Sequence, residues 1–344
     1  MTESRFLNLL NGKNVVYITV KNEDYIRTKQ IKSILSENAG NFAVCSSEKG
    51  NPISRALDIR KKLRDISFEG VDVMIVGFLP QLIWRNITDR VAGNSDITLV
   101  AEMFLSVFDT VVMDRKLVWK SGIIAHLCRN LDKRVVKEAD LVITDTNADA
   151  EYFSKEFGAD KDKFETLYLQ ADLEDLGDKP IDKKKSVEPK SVLYFGTGLP
   201  LQGTEYVAQA FKILAEEYGY KCTYIGGLKG MSRDMKRTLI SCENRLVSKG
   251  KGCTVYHKWL DQKELYRHIS EAAVCLAGHF DPGIDKADRT IPGKAMIYEA
   301  LGKRMILGDT KANREIFRPD DRHIFVPRGD SGSIVDAVIN ADSQ

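Results

Sequence analysis

No apolar run in this sequence of 344 residues is long enough to cross a bilayer. The most apolar stretch, residues 73–84, is interrupted by glycine, proline and glutamine, and it is shorter than the roughly 20 residues that a transmembrane helix needs. The first residues, MTESRF, lack the basic and then apolar regions of a signal peptide. These absences predict a cytoplasmic protein.

An excess of one charge is also missing. The 51 lysine and arginine residues nearly balance the 49 aspartate and glutamate residues, and neither half has the basic surplus of nucleic-acid-binding proteins. Nucleic acid is therefore not expected as a partner. One local basic cluster follows a helical apolar pattern: Arg55, Arg60, Lys61, Lys62 and Arg64. It is either a solvated helix face or a contact with anionic lipid head groups, which would hold the protein peripherally on the inner face of a membrane.

Cysteine is scarce and scattered. The six cysteines lie far apart, without a C-x-x-C pair or a nearby pair of histidines, so we expect buried free thiols rather than disulfides or a zinc site. No metal site is predicted. The composition, 43% hydrophobic and 29% charged, is that of a soluble globular protein. At about 150 residues per domain, the length indicates two domains.

Short β-rich runs alternate with helical patterns in both halves of the chain, which is typical of βαβ units and parallel sheets. We therefore predict an α/β fold of two Rossmann-like domains, over residues 1–170 and 191–344. A charged segment with two prolines, residues 171–190, is the predicted linker. The predicted strands are 14–20, 42–45, 71–77, 97–101 and 141–144 in the first half, and 192–196, 222–226, 253–256, 274–277, 305–307 and 323–326 in the second.

The second half opens with a strand, a glycine-rich turn and a helix that begins near Thr204. Gly196, Gly198 and Gly203 let a ligand approach the backbone closely, and free N–H groups at a helix N-terminus favour a phosphate. Glycines that serve only the tight turn are the alternative. The spacing matches neither GxGxxG nor GxxxxGK[ST], which argues against a dinucleotide-dependent dehydrogenase and a P-loop ATPase.

The segment AVCLAGHFDPGIDKADRTIPGKAMIYEALGKRMILGDTKANREI, residues 273–316, carries a resemblance. It is similar to the donor-binding half of retaining glycosyltransferases of family 4. In the first half, the stretch EMFLSVFDTVVMDR followed by KEADLVITDTNADAEYF resembles the acceptor domain of members that build cell-surface polysaccharides. The resemblance implies the GT-B fold, in which two Rossmann-like domains face each other across a cleft that holds a nucleotide-sugar.

In this family the second glutamate of an E-x7-E motif holds the ribose, and Glu299 occupies that place. A ribose diol suits a carboxylate that accepts two hydrogen bonds. The first glutamate, which holds the transferred sugar in relatives, would fall at Ile291. The sequence therefore lacks the usual sugar ligand, and Asp285 or Asp288 in the preceding loop could replace it.

The phosphate-binding residues depart from the family as well. Thr197 and Gln202 stand where many members have arginine and lysine. Arg289 and Lys294, beside the turn that enters the Glu299 helix, could neutralise the diphosphate instead. A solvated surface charge is the alternative for each, but a lysine at a helix start opposes the helix dipole and gains nothing structurally there.

Three further donor-side residues follow predicted strands. Trp259 could contact the nucleobase or belong to the core. His279 and Phe280 end the strand 274–277 at its carboxyl edge, where ligands of open α/β sheets bind, so a phosphate or sugar contact is expected.

The first half offers polar residues for the acceptor side, after the strand 97–101: Glu102, Asp109, Asp114 and Arg115. An inverting enzyme would use one carboxylate as general base, whereas the retaining mechanism that the resemblance implies leaves these residues to bind and orient the acceptor. Asp114 and Arg115 could instead form a structural ion pair. Asp145 and Thr146 precede a predicted helix, and capping it is their simplest role.

Together these features predict a metal-independent retaining glycosyltransferase without a cofactor. It would move a hexose-type sugar from a UDP- or GDP-type donor onto a cell-surface glycan or a lipid-linked acceptor. Two alternatives stay open: a nucleotide-sugar epimerase of the same fold, and a catalytically silent GT-B partner subunit.

Overall fold

The computed structural model of the chain describes residues 4–93, 96–115, 117–171, 187–228, 231–246, 252–256 and 258–342. The chain divides into two compact units, Met1–Gln170 and Ala171–Gln344. Each unit is built on a parallel sheet of six strands. Most of the predicted linker lies outside the described residues, and the first strand of the second unit begins within its predicted range, at Glu188.

The first unit contains the strands β1 (Asn14–Thr19), β2 (Asn41–Cys45), β3 (Val73–Gly77), β4 (Thr98–Glu102), β5 (Leu141–Thr144) and β6 (Phe164–Thr166). Its helices are α1 (Arg5–Leu10), α2 (Ile26–Asn38), α3 (Pro52–Leu63), α4 (Trp84–Val91), α5 (Ile123–Glu138) and α6 (Asn147–Phe157). A π-helical turn spans Asp109–Asp114. The strand order is β2-β1-β3-β4-β5-β6, so the direction of winding reverses between β1 and β3.

The second unit contains β7 (Glu188–Phe195), β8 (Lys221–Ile225), β9 (Gly252–Tyr256), β10 (Ala272–Gly278), β11 (Met305–Gly308) and β12 (His323–Val326). Its helices are α7 (Thr204–Glu216), α8 (Arg233–Leu246), α9 (Gln262–Glu271), α10 (Asp285–Arg289), α11 (Gly293–Ala300), α12 (Lys311–Ile316) and α13 (Ser331–Asp342). The order β12-β11-β10-β7-β8-β9 reverses between β7 and β10. In open α/β sheets, ligands bind outside the carboxyl ends of the strands at such a reversal.

Every strand predicted from the sequence is present, because each is an apolar run that can be buried on both faces of a parallel sheet. In β1, Val16 and Ile18 enter one hydrophobic cluster, while Val15 and Tyr17 enter the cluster on the other face. The short strand β6 was not predicted, since its sequence FET has a single apolar residue.

The described cysteines and helices bear on two further sequence predictions. Cys45, Cys128, Cys222, Cys253 and Cys275 are buried and free, as predicted. Among the described residues, no helix combines the length and the apolar character that crossing a membrane requires.

The first unit buries one arginine almost completely. Arg27 on α2 is 1% exposed, and its Nε lies 2.9 Å from Glu102 Oε1 at the end of β4. Its Nη2 pairs with Asp145 after β5 and donates to the Leu167 carbonyl at 2.7 Å, and its Nη1 donates to Gln30 Oε1 at 2.8 Å. One guanidinium therefore joins α2 to the carboxyl ends of two strands and to the chain after β6.

Replacing Arg27 with methionine should destabilise the protein by about 3–5 kcal/mol, because Glu102 and Asp145 would stay buried without their cation. Urea unfolding at neutral pH measures the loss. Lys13→Met is the matched control: it removes an exposed pair with Asp72 at 3.9 Å and should cost less than about 1 kcal/mol. Equal losses in the two variants would contradict the account of Arg27 as a structural tie.

Candidate functional site

The site in the second unit forms where β7 and β10 end side by side. Because the two strands are parallel and paired, their carboxyl ends meet at the same edge of the sheet. Gly196 follows β7 and Gly278 ends β10. Lys294, in the first turn of α11, reaches this edge: a methyl group placed on Gly196 or Gly278 would lie 3.3 Å or 3.2 Å from its Nζ.

Lys294 is a buried lysine with neutral neighbours. Only 7% of the residue is exposed, its Nζ donates to Gln202 Oε1, and the same nitrogen lies 4.8 Å from the centre of the Tyr194 ring. Within the described part of the chain, no carboxylate forms an ion pair with it. An ammonium group in such a place is a strong attractor for an anion that comes from outside the protein.

Burial lowers the pKa of Lys294 from 10.5 to about 7. The cause is desolvation, because taking the ammonium out of water disfavours its charged form. Near neutral pH the lysine is therefore poised between its two protonation states. A phosphate bound beside it would favour the charged state and raise its pKa again.

The turn between β7 and α7 is built by backbone packing. Gly203 has φ +63°, and a Cβ there would lie 2.6 Å from the backbone nitrogen of Asp281. The Gln202 carbonyl accepts the His279 N–H at 3.1 Å. Gly203 is also the N-cap of α7, so the first N–H groups of that helix have no side-chain cap from this position. This turn leaves donors that an anion can use.

His279 follows β10 in a left-handed conformation, φ +61°, that a residue with a side chain rarely adopts. It is 1% exposed, and its Nδ1 is buried without a hydrogen-bond partner among the described residues. Burial, and secondarily the charge of Lys294, lowers the pKa of His279 to about 3, so the imidazole is neutral at physiological pH. Strained residues of this kind collect at functional sites.

The remaining predicted donor residues lie in different environments. Trp259 is 53% exposed with its ring against Phe195, so it is not a core residue and its nucleobase role stays a prediction. Thr197 is exposed and Gly198 is buried against Met231. Arg289 is 9% exposed at the end of α10, and its predicted contact with the donor phosphates likewise stays a prediction.

Phe280 requires a correction. Its side chain is fully buried in the hydrophobic core of the second unit, so it packs and cannot line a donor site. Only its backbone, which lies against Gly203, remains at the site. The sequence places Phe280 correctly after β10 but does not show that its side chain turns inward.

Glu299 requires a second correction. Its carboxylate accepts two hydrogen bonds from Arg322 Nη2, at 2.6 and 2.7 Å, and lies 2.6 Å from His323 Nε2. His323 begins β12, and the amino ends of parallel strands lie opposite the edge that Lys294 reaches. Five residues of helix separate Glu299 from Lys294 by about 7.5 Å along the axis and place them on different faces. This placement does not support Glu299 as the ribose ligand.

One turn after Lys294, the residues on the same face of α11 are Ile297 and Tyr298, and neither has a carboxylate side chain. Of the proposed replacements, Asp288 pairs with Lys311 at 3.3 Å and so joins α10 to α12. Asp285 is exposed at the start of α10. The described residues contain no group of three or more histidine, cysteine or acidic side chains that could hold a metal.

In the first unit, the predicted acceptor-side carboxylates are buried. Glu102 is 1% exposed and bound by Arg27, and burial raises its pKa to about 7. Asp109 accepts a hydrogen bond from the Tyr152 hydroxyl at 3.1 Å, and Asp114 is buried in the same π-helical turn. Glu102 therefore cannot meet an acceptor hydroxyl in this conformation, which corrects its prediction as a catalytic group. Arg115 is exposed.

Thr146 and Asp145 separate in role. Thr146 caps α6 as predicted, because its Oγ1 accepts the Asp149 N–H at 3.0 Å. Asp145 instead pairs with Arg27, a contact across the sheet that local sequence does not reveal.

Sequence reasoning missed an aromatic cluster at the carboxyl edge of the first sheet, formed by Lys21, Tyr25, Phe78 and Phe104. Phe78 has φ +65°, its ring stacks on Phe104 at 5.7 Å, and it meets Tyr25 edge-on at 5.4 Å. Lys21 Nζ lies 4.5 Å from the centre of the Tyr25 ring and 4.9 Å from that of Phe78. All four are partly exposed. The available signal was that Lys21, Phe78 and Phe104 each follow a parallel strand, so they share one edge.

No protein-family model matches the sequence, and no curated protein matches it. Solved structures do. A sucrose-phosphate synthase of Thermosynechococcus elongatus gives a TM-score of 0.64 at 13% identity, over 96% of this chain and 90% of that one. A UDP-forming α,α-trehalose-phosphate synthase of Burkholderia xenovorans gives 0.62 at 11%, over 96% and 91%. HepE of Anabaena, solved in complex with UDP, gives 0.59 at 12%, over 96% and 91%. These likenesses confirm the predicted fold class, the two-domain α/β fold of GT-B proteins.

Lys294→Met should raise the free energy of unfolding at pH 7 by about 1–3 kcal/mol, because it removes a charge that burial disfavours. Since the pKa of this lysine is lower in the folded than in the unfolded chain, wild-type stability falls as the pH drops from about 10.5 towards 7. The gain should therefore be largest at pH 7 and below. Denaturant titrations at several pH values measure it.

Lys155→Met is the control for that experiment. Lys155 is exposed and pairs with Glu151 at 2.9 Å, so its loss should change stability by less than about 1 kcal/mol. If Lys294→Met lowers stability at pH 7, Lys294 is a structural residue and the site assignment is wrong.

Proposed function

We propose that this protein is a glycosyltransferase that uses a nucleotide-sugar donor. The observation that carries the proposal is the buried ammonium of Lys294, which lies at the strand reversal of the second sheet and pairs with no carboxylate of the described chain. The fold supports it, since the sugar-phosphate synthases named above share both units, and HepE was solved with UDP. The resemblance of residues 273–316 points to the same class.

In this proposal the donor diphosphate binds at Lys294 and at the first N–H groups of α7. Arg289 adds a second cation, whereas the His279 side chain is as buried as that of Glu102, so His279 contributes only through its backbone N–H, which holds the Gln202 turn. Trp259, exposed beside Phe195, is the proposed platform for the base of a UDP- or GDP-type donor. Because side-chain cations supply the positive charge, we propose that transfer of the hexose-type sugar is metal-independent.

We propose a retaining transfer. The acceptor oxygen forms a bond to the anomeric carbon while the bond from that carbon to the diphosphate oxygen breaks. The acceptor proton passes to the departing phosphate oxygen on the same face of the sugar. Lys294 and the N–H groups of α7 stabilise the charge that develops on the leaving group, so catalysis comes from positioning and electrostatics.

The acceptor, a glycan or a lipid-linked sugar, is proposed to bind the aromatic cluster of the first unit. Aromatic rings pack against the apolar faces of sugars. The backbone of Phe78 has a positive φ, a strained conformation that is concentrated at functional sites. Lys21 would contact a hydroxyl or anionic group of the acceptor. The resemblance of the first half to family members that build cell-surface polysaccharides supports such a synthesis as the setting.

Affinity for a nucleoside diphosphate should fall as the pH rises above 7. The pKa of free Lys294 is about 7, and a bound diphosphate holds it protonated, so binding takes up a proton above that pH. The expected fall is up to about tenfold per pH unit. Calorimetry with UDP and with GDP, in buffers of different ionisation enthalpy, measures both the affinity and the proton uptake.

Lys294→Arg is the control, because arginine stays charged throughout and should flatten the profile. A wild-type affinity as independent of pH as that of Lys294→Arg would remove Lys294 from the phosphate site. If neither UDP nor GDP bound to the wild-type protein, the donor proposal itself would be wrong.

Phe104→Ala and Lys21→Ala should each raise the acceptor KM about tenfold, because they remove stacking area or a hydrogen-bond donor from the proposed acceptor site. The Kd for the nucleotide should stay unchanged. Phe42→Ala, at an exposed phenylalanine on β2, is the control. An unchanged acceptor KM in both test variants would place the acceptor elsewhere.

A catalytically silent nucleotide-binding subunit is the second candidate. It is favoured by Ile291, which stands where the family has the sugar-holding glutamate, and by Ile297 and Tyr298, which leave the Lys294 face of α11 without a carboxylate. The two functions are separated by incubating the protein with nucleotide-sugars and a pool of lipid-linked and glycan acceptors, and measuring the nucleoside diphosphate that transfer releases. Nucleotide binding without release of nucleoside diphosphate in the presence of any acceptor would favour the silent subunit.

A further inference from the structure

One segment of the first unit exposes six large apolar side chains, which we call the apolar ridge: Leu117, Trp119, Ile123, Ile124, Leu127 and Leu131. Trp119 is 87% exposed and Ile123 is 83% exposed. Single exposed apolar residues are ordinary, but a contiguous group marks an interaction surface. The ridge is the largest such run of sequence among the described residues.

The geometry of α5 makes the ridge continuous. Ile123, Leu127 and Leu131 recur every four residues, so they lie on one face of the helix, and Ile124 stands beside them. The opposite face carries Ala125 and Cys128 into the small core of the segment. The buried face of α5 is thus already occupied, and the ridge is a second apolar face that the unit does not cover.

The charged residues within the ridge segment are all basic. Residues 115–131 contain no aspartate or glutamate. Arg115, Lys120 and Lys133 are exposed and have no ion-pair partner among the described residues, whereas Arg129 is paired with Glu156 at 2.6 Å. An apolar face bordered by free cations, with a tryptophan at its margin, complements the anionic interface of a phospholipid bilayer.

The basic helix α3, which the sequence offered as a lipid contact, fits less well. It exposes only Ile53 and Leu57, and Arg60 donates to the Leu82 carbonyl at 2.7 Å. Both α3 and α5 pack on the same face of the first sheet, since Ile59 and Val135 belong to one core cluster. The apolar area needed for insertion is nevertheless on α5.

We propose that the apolar ridge docks this protein onto an anionic phospholipid membrane. Ile123, Ile124, Leu127 and Leu131 insert at the boundary between head groups and acyl chains, Trp119 lies at head-group level, and Lys120 and Lys133 contact the lipid phosphates. Docking does not require the transferase activity. That it brings a lipid-linked acceptor to the enzyme is the one consequence that rests on the proposed function.

The first experiment measures binding of the full chain to vesicles of phosphatidylcholine, with and without phosphatidylglycerol. We expect flotation with the anionic vesicles and a blue shift of tryptophan emission. A Trp259→Phe background isolates the signal of Trp119, because the remaining Trp84 is buried. Brominated lipids should quench that emission. Absence of binding to anionic vesicles would overturn the proposal.

Variants then locate the contact. The double variant Ile123→Ser with Leu127→Ser should weaken binding at least about tenfold, because each inserted side chain contributes to transfer from water. The matched pair on α3, Ile53→Ser with Leu57→Ser, should bind as wild type does. The double variant Lys120→Glu with Lys133→Glu should also weaken binding to anionic vesicles. It tests the charged contacts separately from the apolar ones. Equal losses from the α3 and α5 pairs would overturn the assignment to the ridge.

Light scattering tests the competing occupant, a second copy of the chain. A dimer that Ile123→Ser with Leu127→Ser converts to a monomer would show that protein covers the ridge and would overturn the membrane proposal. Nucleotide affinity is measured on the same samples. If the wild type bound no nucleotide, the donor-site proposal would be wrong. The vesicle experiments would still test the membrane proposal independently.

Discussion

A buried ammonium group must lose its proton or find an anion, and this constraint governs the carboxyl edge of the second sheet. Among the described residues, the partners of Lys294 Nζ are an amide oxygen and a tyrosine ring, and burial brings its pKa to about 7. The close approach of the lysine requires Gly196 and Gly278, and the turn at Gly203 leaves helix N–H groups beside it. These features together are the basis for proposing a phosphate site at this edge.

The first unit resolves the same constraint in the opposite way. Arg27 is buried as deeply as Lys294, but Glu102 and Asp145 neutralise it, and its remaining donors reach backbone and amide oxygens. A compensated charge holds elements together, whereas an uncompensated one lowers stability and binds ligands. One buried cation is therefore neutralised within the first unit and the other is not neutralised by the described residues of the second, which is why we propose the anion site at Lys294.

Individual residues show how far sequence reasoning reached. Lys294 was singled out because a lysine at a helix start opposes the helix dipole, and that argument is purely local. Thr146 was identified as a cap by the same kind of reasoning. Glu299, Glu102 and Phe280 were assigned from family motif or from position after a strand, and such positions do not specify helix face, burial or pairing. The cluster around Phe78 was missed because its members are distant in sequence.

The sequence by itself determined the alternation of strands and helices and hence two α/β units, since apolar runs and helical periodicities report local burial. It also determined the glycine-rich turn and the unusual lysine. Only the tertiary structure decided which polar groups meet, because contacts such as Arg27 with Asp145, or Lys294 with Gln202, depend on strand order across the sheet. It likewise decided that the outer face of α5 is uncovered, since amphipathicity predicts a buried face but does not show what lies against the other.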